Sequence, residues 1–299
     1  MESIGGQAVI EGVMLRKKNM YSVAVRNPKG KIITTKHKIK DYRQGFLSFF
    51  KLSFFRGMYA MYEMLSIGMK TLIYSSNVAT DEKEEKLSSM ELFWVIFTSL
   101  LFTVGIFIIL PYILTVLTGV KEDVNPIIFN LIDAVIKVIF FVAYVLIIGM
   151  MNDIKRVFQY HGAEHMVVHC YESKKKVTPK NCKSFSTIHP RCGSSFVMIT
   201  IVISIVIFSL LPLFFIYVFP GFYDLSFTLQ KIYLALLRVL VLPIVMGVSY
   251  EILKLAGKYP KNPILYLMSV PGMWLQKLTT KQPDTKQIEV AIAALNKIK

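Results

Sequence analysis

Four long apolar runs dominate the pattern of hydrophobic and polar positions along the chain. They cover residues 92–117, 127–151, 195–219 and 229–253, and each exceeds the roughly 20 residues that a helix needs to cross a bilayer. Backbone groups in lipid must be hydrogen-bonded within their own segment, which favours helices. The pattern therefore predicts four transmembrane helices in two hairpins, 92–151 and 194–254.

The segment ahead of the first run predicts a small β-rich region over residues 1–44. Residues 21–25 alternate between polar and apolar side chains, 27–30 (NPKG) carry turn residues, and 31–35 continue as a strand. This is the pattern of a hairpin. The apolar run at 5–14, GGQAVIEGVM, contains glycines together with Gln7 and Glu11. It is either a loop that approaches a site closely or a strand with a bulge.

Residues 45–91 hold a strongly aromatic helical segment followed by a charged linker. Over 45–76, phenylalanine and tyrosine rings are interrupted by Lys51, Arg56 and Glu63. Charges this close together suit lipid poorly, whereas rings and cations suit the headgroup region. The segment predicts an interfacial or re-entrant helix, and the sequence leaves open whether it spans, re-enters or lies on the membrane.

Composition and charge agree with a membrane protein. The chain is 54% hydrophobic with a mean hydropathy of +0.51, more apolar than a soluble domain needs. Its net charge is +16, and of its 35 Lys and Arg residues fifteen lie in 1–91, eight in 152–193 and eight in 254–299. This asymmetry predicts that both termini and the 152–193 loop are cytoplasmic. Since the chain lacks an aromatic, glycine-rich RNA-binding signature, we expect a lipid bilayer and not nucleic acid as its partner.

The fold class that follows is an α-helical polytopic membrane protein. It has four transmembrane helices, an aromatic interfacial or re-entrant helix and a small cytoplasmic β-hairpin region at the N-terminus. The cytoplasmic tail, 255–299, ends in an amphipathic helix. Asp133, Lys137 and Arg238 are charged residues in the interior of the apolar runs. Charges at such positions mark functional sites or structural ion pairs, and the sequence leaves both open.

One stretch of the 152–193 loop carries residues typical of a catalytic or metal-binding site. His161, His165 and His169 lie four residues apart, so a helix places them on one side. His161 to His165 reads H-x-x-E-H, the order in which inverzincins hold a divalent metal with two imidazoles and move protons with a carboxylate, here Glu164. Histidines at this spacing can also cap a helix end, pair with another side chain or face water. Gly162 inside the motif weakens a helix by roughly 1 kcal/mol relative to alanine.

The sequence HPRCG at 189–193, directly before the third run, adds an imidazole and a thiol. His189 and Cys192 form either a metal-binding turn or a tight turn at a helix start. Because His161 follows the second run and Cys192 precedes the third, both should lie near the same membrane surface. A metal held by two histidines and one further ligand, with its fourth position open to water, has the coordination typical of a catalytic site. Glu164 would then act as the general base. Cysteine beside histidine suits zinc, whereas a carboxylate-rich variant would favour manganese or iron.

Five segments resemble the YqhQ-like family of bacterial membrane proteins: GGQAVIEGVM at 5–14, YHGAEH at 160–165, HPRCG at 189–193, SYEILK at 249–254 and PGMWLQ at 271–276. The resemblance covers nearly the whole chain. It implies a multi-pass protein of the bacterial cytoplasmic (inner) membrane, and a metal dependence predicted from the same histidines, but no reaction.

The resemblance also selects candidate site residues. It implies catalytic Glu164 and the metal ligands His161, His165, His189 and Cys192. His169 and Cys182 resemble variable positions, and we do not expect them to be ligands. Possible further site residues are Glu251, which alternatively pairs with Lys254 at a helix end, and the N-terminal Glu11 and Gln7.

Three functions fit these expectations. The first is a membrane-embedded metal-dependent hydrolase acting at the cytoplasmic face on a lipid-linked, peptide or other amphipathic substrate. The second is an oligomeric ion or solute channel or transporter, in which the histidines bind or gate an ion and Asp133, Lys137 and Arg238 line the lumen. The third is a non-catalytic membrane scaffold with structural zinc. Without a metal, the histidine cluster would be a cytoplasmic pH sensor.

Overall fold

Helices and one small antiparallel sheet make up the computed structural model, which describes residues 4–53, 55–80, 89–122, 124–259 and 262–299. The coarse prediction of fold class is confirmed, because the chain is mainly helical, contains four long apolar helices and begins with a β region. The charged linker predicted at 81–86 lies outside the described residues.

The N-terminal region is a four-stranded meander, with strands neighbouring one another in chain order. Its strands are β1 (Gly5–Val9), β2 (Gly12–Lys17), β3 (Met20–Arg26) and β4 (Ile32–Lys38). The predicted hairpin is β3–β4, whose turn is closed by the Gly30 N–H donating to the Asn27 carbonyl over 2.9 Å. The run at 5–14 forms a second hairpin, β1–β2, and its turn holds Glu11 at a φ of 49°.

Ten α-helices follow the sheet in the described part of the chain: α1 (Phe55–Thr80), α2 (Ser89–Val104), α3 (Leu110–Leu117), α4 (Pro126–Ile148), α5 (Asn152–Glu172), α6 (Pro179–Cys182), α7 (Gly193–Val218), α8 (Phe227–Lys258), α9 (Pro263–Thr279) and α10 (Thr285–Ile298). A 3-10 segment, Gly45–Lys51, precedes α1, and a π-helical turn, Gly105–Ile109, joins α2 to α3.

Among the residues that the structure describes, four helical segments are long and apolar enough to cross a membrane: Phe93–Leu117, Ile127–Ile148, Gly193–Leu211 and Thr228–Lys258. They fall on the four predicted runs and are called the membrane-length helices below. α7 and α8 pack as a hairpin through a shared apolar cluster that includes Phe208 and Val245. These four helices agree with a bilayer environment.

The sheet is covered on both faces, as the alternation of its side chains requires. Val13, Leu15 and Ala24 point to one face and pack against α5 and α10. Met14 and Val23 point to the other face and join Ile67 of α1 in a second apolar cluster. The helix that carries the predicted histidines is therefore fixed against a β-sheet core.

The aromatic segment at 45–76 contains the 3-10 segment and most of α1. Among the described residues α1 is not one of the membrane-length helices. It packs between the sheet and α8, where Arg56 forms an ion pair with Glu251. An interfacial or re-entrant position for this segment stays a prediction.

Candidate metal centre

Two histidines of α5 lie side by side because they are one helical turn apart. The ring centroids of His161 and His165 are 4.4 Å apart. His165 is 2% exposed, and His161 is partly buried. The H-x-x-E-H stretch is thus part of a helix, with its imidazoles on one side as the spacing predicts.

Cys192 meets these two rings from the start of α7. The His161 Nε2 and the Cys192 Sγ are 3.2 Å apart. One ligand atom from each of His161, His165 and Cys192 lies within 4.8 Å of the others. Among the described residues, these three side chains are the group that could hold a metal ion. The middle of α5 and the residue directly before α7, 31 positions apart for His161 and Cys192, are therefore brought together as the loop length allows.

Backbone carbonyls orient both imidazoles. The Nδ1 of His161 lies 2.9 Å from the Thr279 carbonyl oxygen, and the Nδ1 of His165 lies 2.5 Å from that of Thr187. Since a carbonyl can only accept, each Nδ1 carries the proton and each Nε2 keeps its lone pair. Burial lowers the pKa of His165, so its ring is neutral near pH 7. Both rings are held in the form that binds a metal.

Gly162 gives room to the segment that carries the Thr279 carbonyl. A Cβ at this position would overlap the backbone carbonyl oxygen of Lys281. The same segment is anchored by the Lys281 N–H, which donates to the Phe158 carbonyl over 2.9 Å. Glycine inside the motif therefore lets residues 279–281 lie against α5, and this contact positions the Thr279 acceptor for His161.

Glu164 is buried beside the histidines, with 5% of its surface exposed. One of its carboxylate oxygens lies 3.4 Å from the His165 Nε2. A Cβ at Gly6 would lie 2.5 Å from the Glu164 Oε1, so β1 packs its glycine backbone directly on this carboxylate. Burial raises the pKa of Glu164, which makes it a group able to hold or release a proton. The expected close approach of the 5–14 segment is therefore made by a strand.

A cavity of about 190 Å³ opens onto Glu164, His165 and Cys192. Its walls come from β1, β2, α1, α5 and the start of α7. Apolar side chains form much of the lining, among them Met14, Met64 and Ile67. The cavity offers space for an apolar group next to a polar, ligand-bearing wall.

His189 lines the same cavity but is outside the three-residue ligand group. Its Nδ1 accepts from the Arg191 N–H at 3.2 Å, and its Nε2 lies 3.4 Å from the Glu172 carboxylate. Arg191 forms an ion pair with the same carboxylate. Gln276 of α9 fixes the His189 backbone with two hydrogen bonds, of 2.7 and 2.9 Å. A role for His189 as a ligand stays a prediction.

The two residues not expected to be ligands have other partners. The His169 Nε2 donates to the Ile188 carbonyl over 2.9 Å, and its ring stacks on Phe185. Cys182 is fully buried in the core beside Cys170, and burial raises its pKa to about 12. Neither residue belongs to the group of metal-type donors.

The additional candidates separate into one that lines the cavity and two that do not. Gln7 lines it and packs against Gly68 of α1. Glu11 pairs with Arg156 and accepts from the Tyr160 hydroxyl at 3.2 Å. Glu251 pairs with Arg56 of α1. Both carboxylates thus have salt-bridge partners away from the cavity lining.

Asp133, Lys137 and Arg238, in the interior of the apolar runs, form one cluster. Lys137 pairs with Asp133 at 2.5 Å. Arg238 of α8 donates to Glu122 over 2.7 Å and to Asn130 over 2.8 Å, and it lies 3.9 Å from Asp133. Its guanidinium is also surrounded by the rings of Tyr112, Phe129 and Phe208, 5.3 to 5.8 Å away. The cluster ties α4 and α8 to the loop between α3 and α4.

Several residues of this centre could not be recognised from the chain alone. Thr187 and Thr279 act through backbone carbonyls, which have no sequence signature. Gln276 was part of a family-like segment but had no assigned role. Glu172 was identifiable only as a carboxylate on the histidine side of the helix. The ligand spacing therefore predicts the donors but not the groups that orient them.

The donor chemistry fits a zinc ion. Zinc takes nitrogen and sulfur ligands in tetrahedral sites, in which neighbouring ligand atoms lie roughly 3.4–3.6 Å apart. The 3.2 Å between the His161 Nε2 and the Cys192 Sγ is close to this spacing. The Nδ1 protons of both histidines are directed away from the centre, as in sites where an outer partner fixes the ligand.

Comparisons with known proteins identify the family. The chain matches the family model described as "Protein of unknown function (DUF1385)" over residues 52–299. It is 36% identical over 313 aligned residues to "Uncharacterized protein YqhQ" of Bacillus subtilis (strain 168), an alignment that covers 98% of this chain and 91% of that protein. No solved structure matches the chain. The chain therefore belongs to the DUF1385 family and is YqhQ-like along nearly its whole length.

Proposed function

We propose that the chain is a metal-dependent hydrolase of the bacterial cytoplasmic membrane, with its active centre on the cytoplasmic side. One observation carries the proposal: two oriented imidazole nitrogens and a thiol converge beside a buried carboxylate at the wall of a cavity. A structural ion alone would need neither the buried Glu164 nor the cavity. Net positive charge in the segments flanking the apolar runs supports the cytoplasmic side.

Each residue of the centre has a proposed task. His161, His165 and Cys192 hold a divalent metal, zinc for this donor set. The metal would supply Lewis acidity at the reacting group. Glu164 takes the proton of the attacking water, and its burial keeps its pKa high enough for it to return that proton to the leaving group. The fourth position of the site is left for substrate or water.

The cavity lining supports an amphipathic substrate. Methionine and isoleucine side chains form part of the cavity wall, and α1, which supplies Met64 and Ile67, also packs against α8. An apolar tail or side chain would occupy that wall while its ester, amide or phosphate group faces Glu164. Lipid-linked and peptide substrates both meet this requirement.

The first test is elemental analysis of the detergent-purified protein. We expect about one zinc per chain in wild type and its loss in His161→Ala and His165→Ala, because each removes one of three donors. His37→Ala is the matched control, since His37 stacks on Tyr21 in the sheet, away from the centre. Full metal content in both site variants, or none in a folded wild type, would contradict the proposal.

Catalysis is tested separately with Glu164→Gln. This variant should keep its zinc but lose hydrolysis of a panel of p-nitrophenyl esters of increasing chain length by about 10²–10⁴-fold, the usual contribution of a general base. Zinc retained together with unchanged hydrolysis would favour the scaffold with a structural zinc. In that case the cavity would have no catalytic role.

A channel or transporter is the second candidate, and the buried Asp133–Arg238 cluster is the observation relevant to it. Charges inside membrane-length helices are the residues from which an oligomeric pathway would be built. If alanine at Asp133, Lys137 and Arg238 abolished ion flux in proteoliposomes without unfolding the protein, transport would replace hydrolysis as the proposal.

A further inference from the structure

A second cavity borders α1. It has a volume of about 410 Å³ and is bounded by β3, the end of β4 and the residues after it, and α1. Ile67 of α1 lines both this cavity and the one at the candidate metal centre. The two spaces are therefore neighbours, but the second contains none of the metal-type ligands.

The second cavity is cationic. Lys38, Lys40 and Lys70 line it, and all three lysines are exposed. Their side chains make no hydrogen bond or ion pair with any residue that the structure describes. The carboxylate in the lining, Glu63, is paired with Arg16. The lysines are therefore available to an anionic group.

Tyrosines supply hydroxyl groups and ring faces to the same cavity. They are Tyr21, Tyr42, Tyr59 and Tyr62. Tyr59 is 8% exposed, and its hydroxyl accepts from the Tyr42 backbone N–H over 3.1 Å. Arg43 lies over the Tyr59 ring at 4.8 Å. Combined with the lysines, this wall of hydroxyl groups and rings suits a phosphate-bearing headgroup.

An apolar groove continues directly from the cationic cavity. The groove has a volume of about 540 Å³ and shares Tyr42, Tyr59 and Tyr62 with it, while Leu47 and Phe50 extend the lining. A polar cavity that leads into an apolar groove matches the two parts of a phospholipid. Neither free phosphate nor a purely apolar molecule would use both.

The groove opens beside an exposed aromatic surface. Phe46 is 91% exposed, Leu52 61% and Phe55 37%. Phe49 packs against Phe46 and Phe55 with ring centroids 6.0 and 5.5 Å apart, so the rings form one surface. Exposed rings flanked by cations are the pattern of a segment seated in the headgroup region.

The position of α1 places this surface beside a membrane-length helix. Gly57 packs on Tyr250 and Gly247 of α8, within the apolar segment Thr228–Lys258. That segment has 31 residues, about 46 Å at 1.5 Å per residue, which exceeds a hydrocarbon core of about 30 Å. Its C-terminal turns therefore reach the bilayer surface next to the start of α1.

From these contacts we propose that the cavity lined by Lys38, Lys40 and Lys70 binds the phosphate of an anionic phospholipid, whose acyl chain lies in the groove of Leu47 and Phe50. The lipid holds the start of α1 against the membrane. This site is independent of the metal centre and goes beyond the proposed hydrolase.

Lipid retention by the full chain tests the proposal. The protein is reconstituted in nanodiscs of phosphatidylcholine with one-fifth phosphatidylglycerol, released into mild detergent, and its bound lipids are counted by native mass spectrometry. Wild type should retain phosphatidylglycerol over phosphatidylcholine. K38Q/K40Q/K70Q should weaken retention by about a hundredfold, given roughly fivefold for each lysine near a lipid surface.

The matched control removes the same charge elsewhere. K174Q/K176Q/K180Q changes three exposed lysines in the segment that follows α5 and should retain the lipid as wild type does. Equal loss in both triple variants would show a general electrostatic effect and overturn the site. Tyr62→Ala, at a residue 67% exposed, should also weaken retention without unfolding the protein, and unchanged retention there would overturn the groove.

Competition distinguishes the possible sources of the phosphate. Glycerol phosphate at millimolar concentration should leave the retained phosphatidylglycerol in place, because it lacks the acyl chain. Complete displacement by glycerol phosphate or inorganic phosphate would mean that the cavity is a soluble-anion site, which would overturn the lipid assignment. The measurement needs neither metal nor hydrolysis, so failure of the proposed function does not affect it.

Discussion

Single atoms decide whether the histidine stretch can bind a metal. The spacing of His161 and His165 makes them neighbours, but spacing alone does not set which ring nitrogen is available. Two carbonyl oxygens, of Thr279 and Thr187, hold the Nδ1 protons and direct both Nε2 atoms toward Cys192. Outer partners of this kind commonly change metal affinity by about 10–100-fold.

Replacement of Gly162 by alanine should therefore impair the centre although no ligand changes. A Cβ would overlap the Lys281 carbonyl oxygen and push residues 279–281 away from α5. We expect lower thermal stability, by about 1–3 kcal/mol for overpacking, and weaker zinc binding in a chelator competition.

Gly105→Ala is the control for this substitution. Gly105 is also helical, but a Cβ there meets nothing within 4 Å. Alanine at 105 should leave stability unchanged or raise it by up to about 1 kcal/mol. If Gly162→Ala behaved like this control, close approach of the tail would not be the reason for glycine in the motif.

At the scale of elements, α10 closes the core behind the histidine helix. It begins with a capping box, in which the Asp284 carboxylate accepts from the Gln287 N–H over 2.7 Å and the Gln287 side chain returns to the Asp284 N–H at 2.9 Å. Its apolar side packs on β2, β3 and α5. The helix that carries the histidines is consequently stabilised by packing against an element more than 100 residues away in sequence.

Ile288→Ala should weaken the packing of α10 against the sheet and α5. Ile288 is fully buried, and truncation of such a side chain costs about 2–5 kcal/mol. We expect a lower unfolding temperature in detergent and faster proteolytic release of the tail. Ile292→Ala on the same helix removes the same atoms from a partly buried side chain, so its effect should be clearly smaller; equal effects would contradict the packing described for α10.

The sequence predicted elements better than their arrangement. Apolar helical segments of 19 to 31 residues and the alternation at 21–25 depend on local physics, so four helices and a β region could be predicted. The donors His161, His165 and Cys192 could be predicted because ligand chemistry restricts residue type. The contact of Gln276 with His189 spans 87 residues, and nothing local at either position distinguishes it from an ordinary glutamine or turn.

At the scale of the molecule, two polar assemblies sit at different places on the apolar bundle. The metal-type centre lies between the middle of α5 and the residue that precedes α7. The Arg238 cluster lies at the other end of the α3–α4 hairpin, because Glu122 belongs to the loop between these helices. Four charges of opposite sign, from Glu122, Asp133, Lys137 and Arg238, balance one another there.

Arg238→Met should destabilise the bundle strongly. It leaves the buried carboxylates of Glu122 and Asp133 without their shared partner, a change that costs about 3–5 kcal/mol for buried pairs. Thermal unfolding in detergent measures it, and the double variant Arg238→Met with Glu122→Gln should recover part of the loss.

Arg43→Met provides the comparison for Arg238. Arg43 also pairs with a carboxylate, that of Asp41, and also lies over a tyrosine ring, but the pair is exposed. Removing it should change stability by at most about 1 kcal/mol. A similar response to both substitutions would argue that the Arg238 cluster contributes little to holding the helices together.

The packing of β2 and β3 against α10 has a consequence for biosynthesis. The first strands leave the ribosome long before residues 285–298, and all four membrane-length helices are made in between. Domains usually begin to fold from the N-terminus during translation, yet one face of this sheet lacks α10 until residues 285–298 emerge. The nascent chain must therefore pass through membrane insertion with part of a hydrophobic sheet face open, and the candidate centre forms only after Thr279 and α10 have been made.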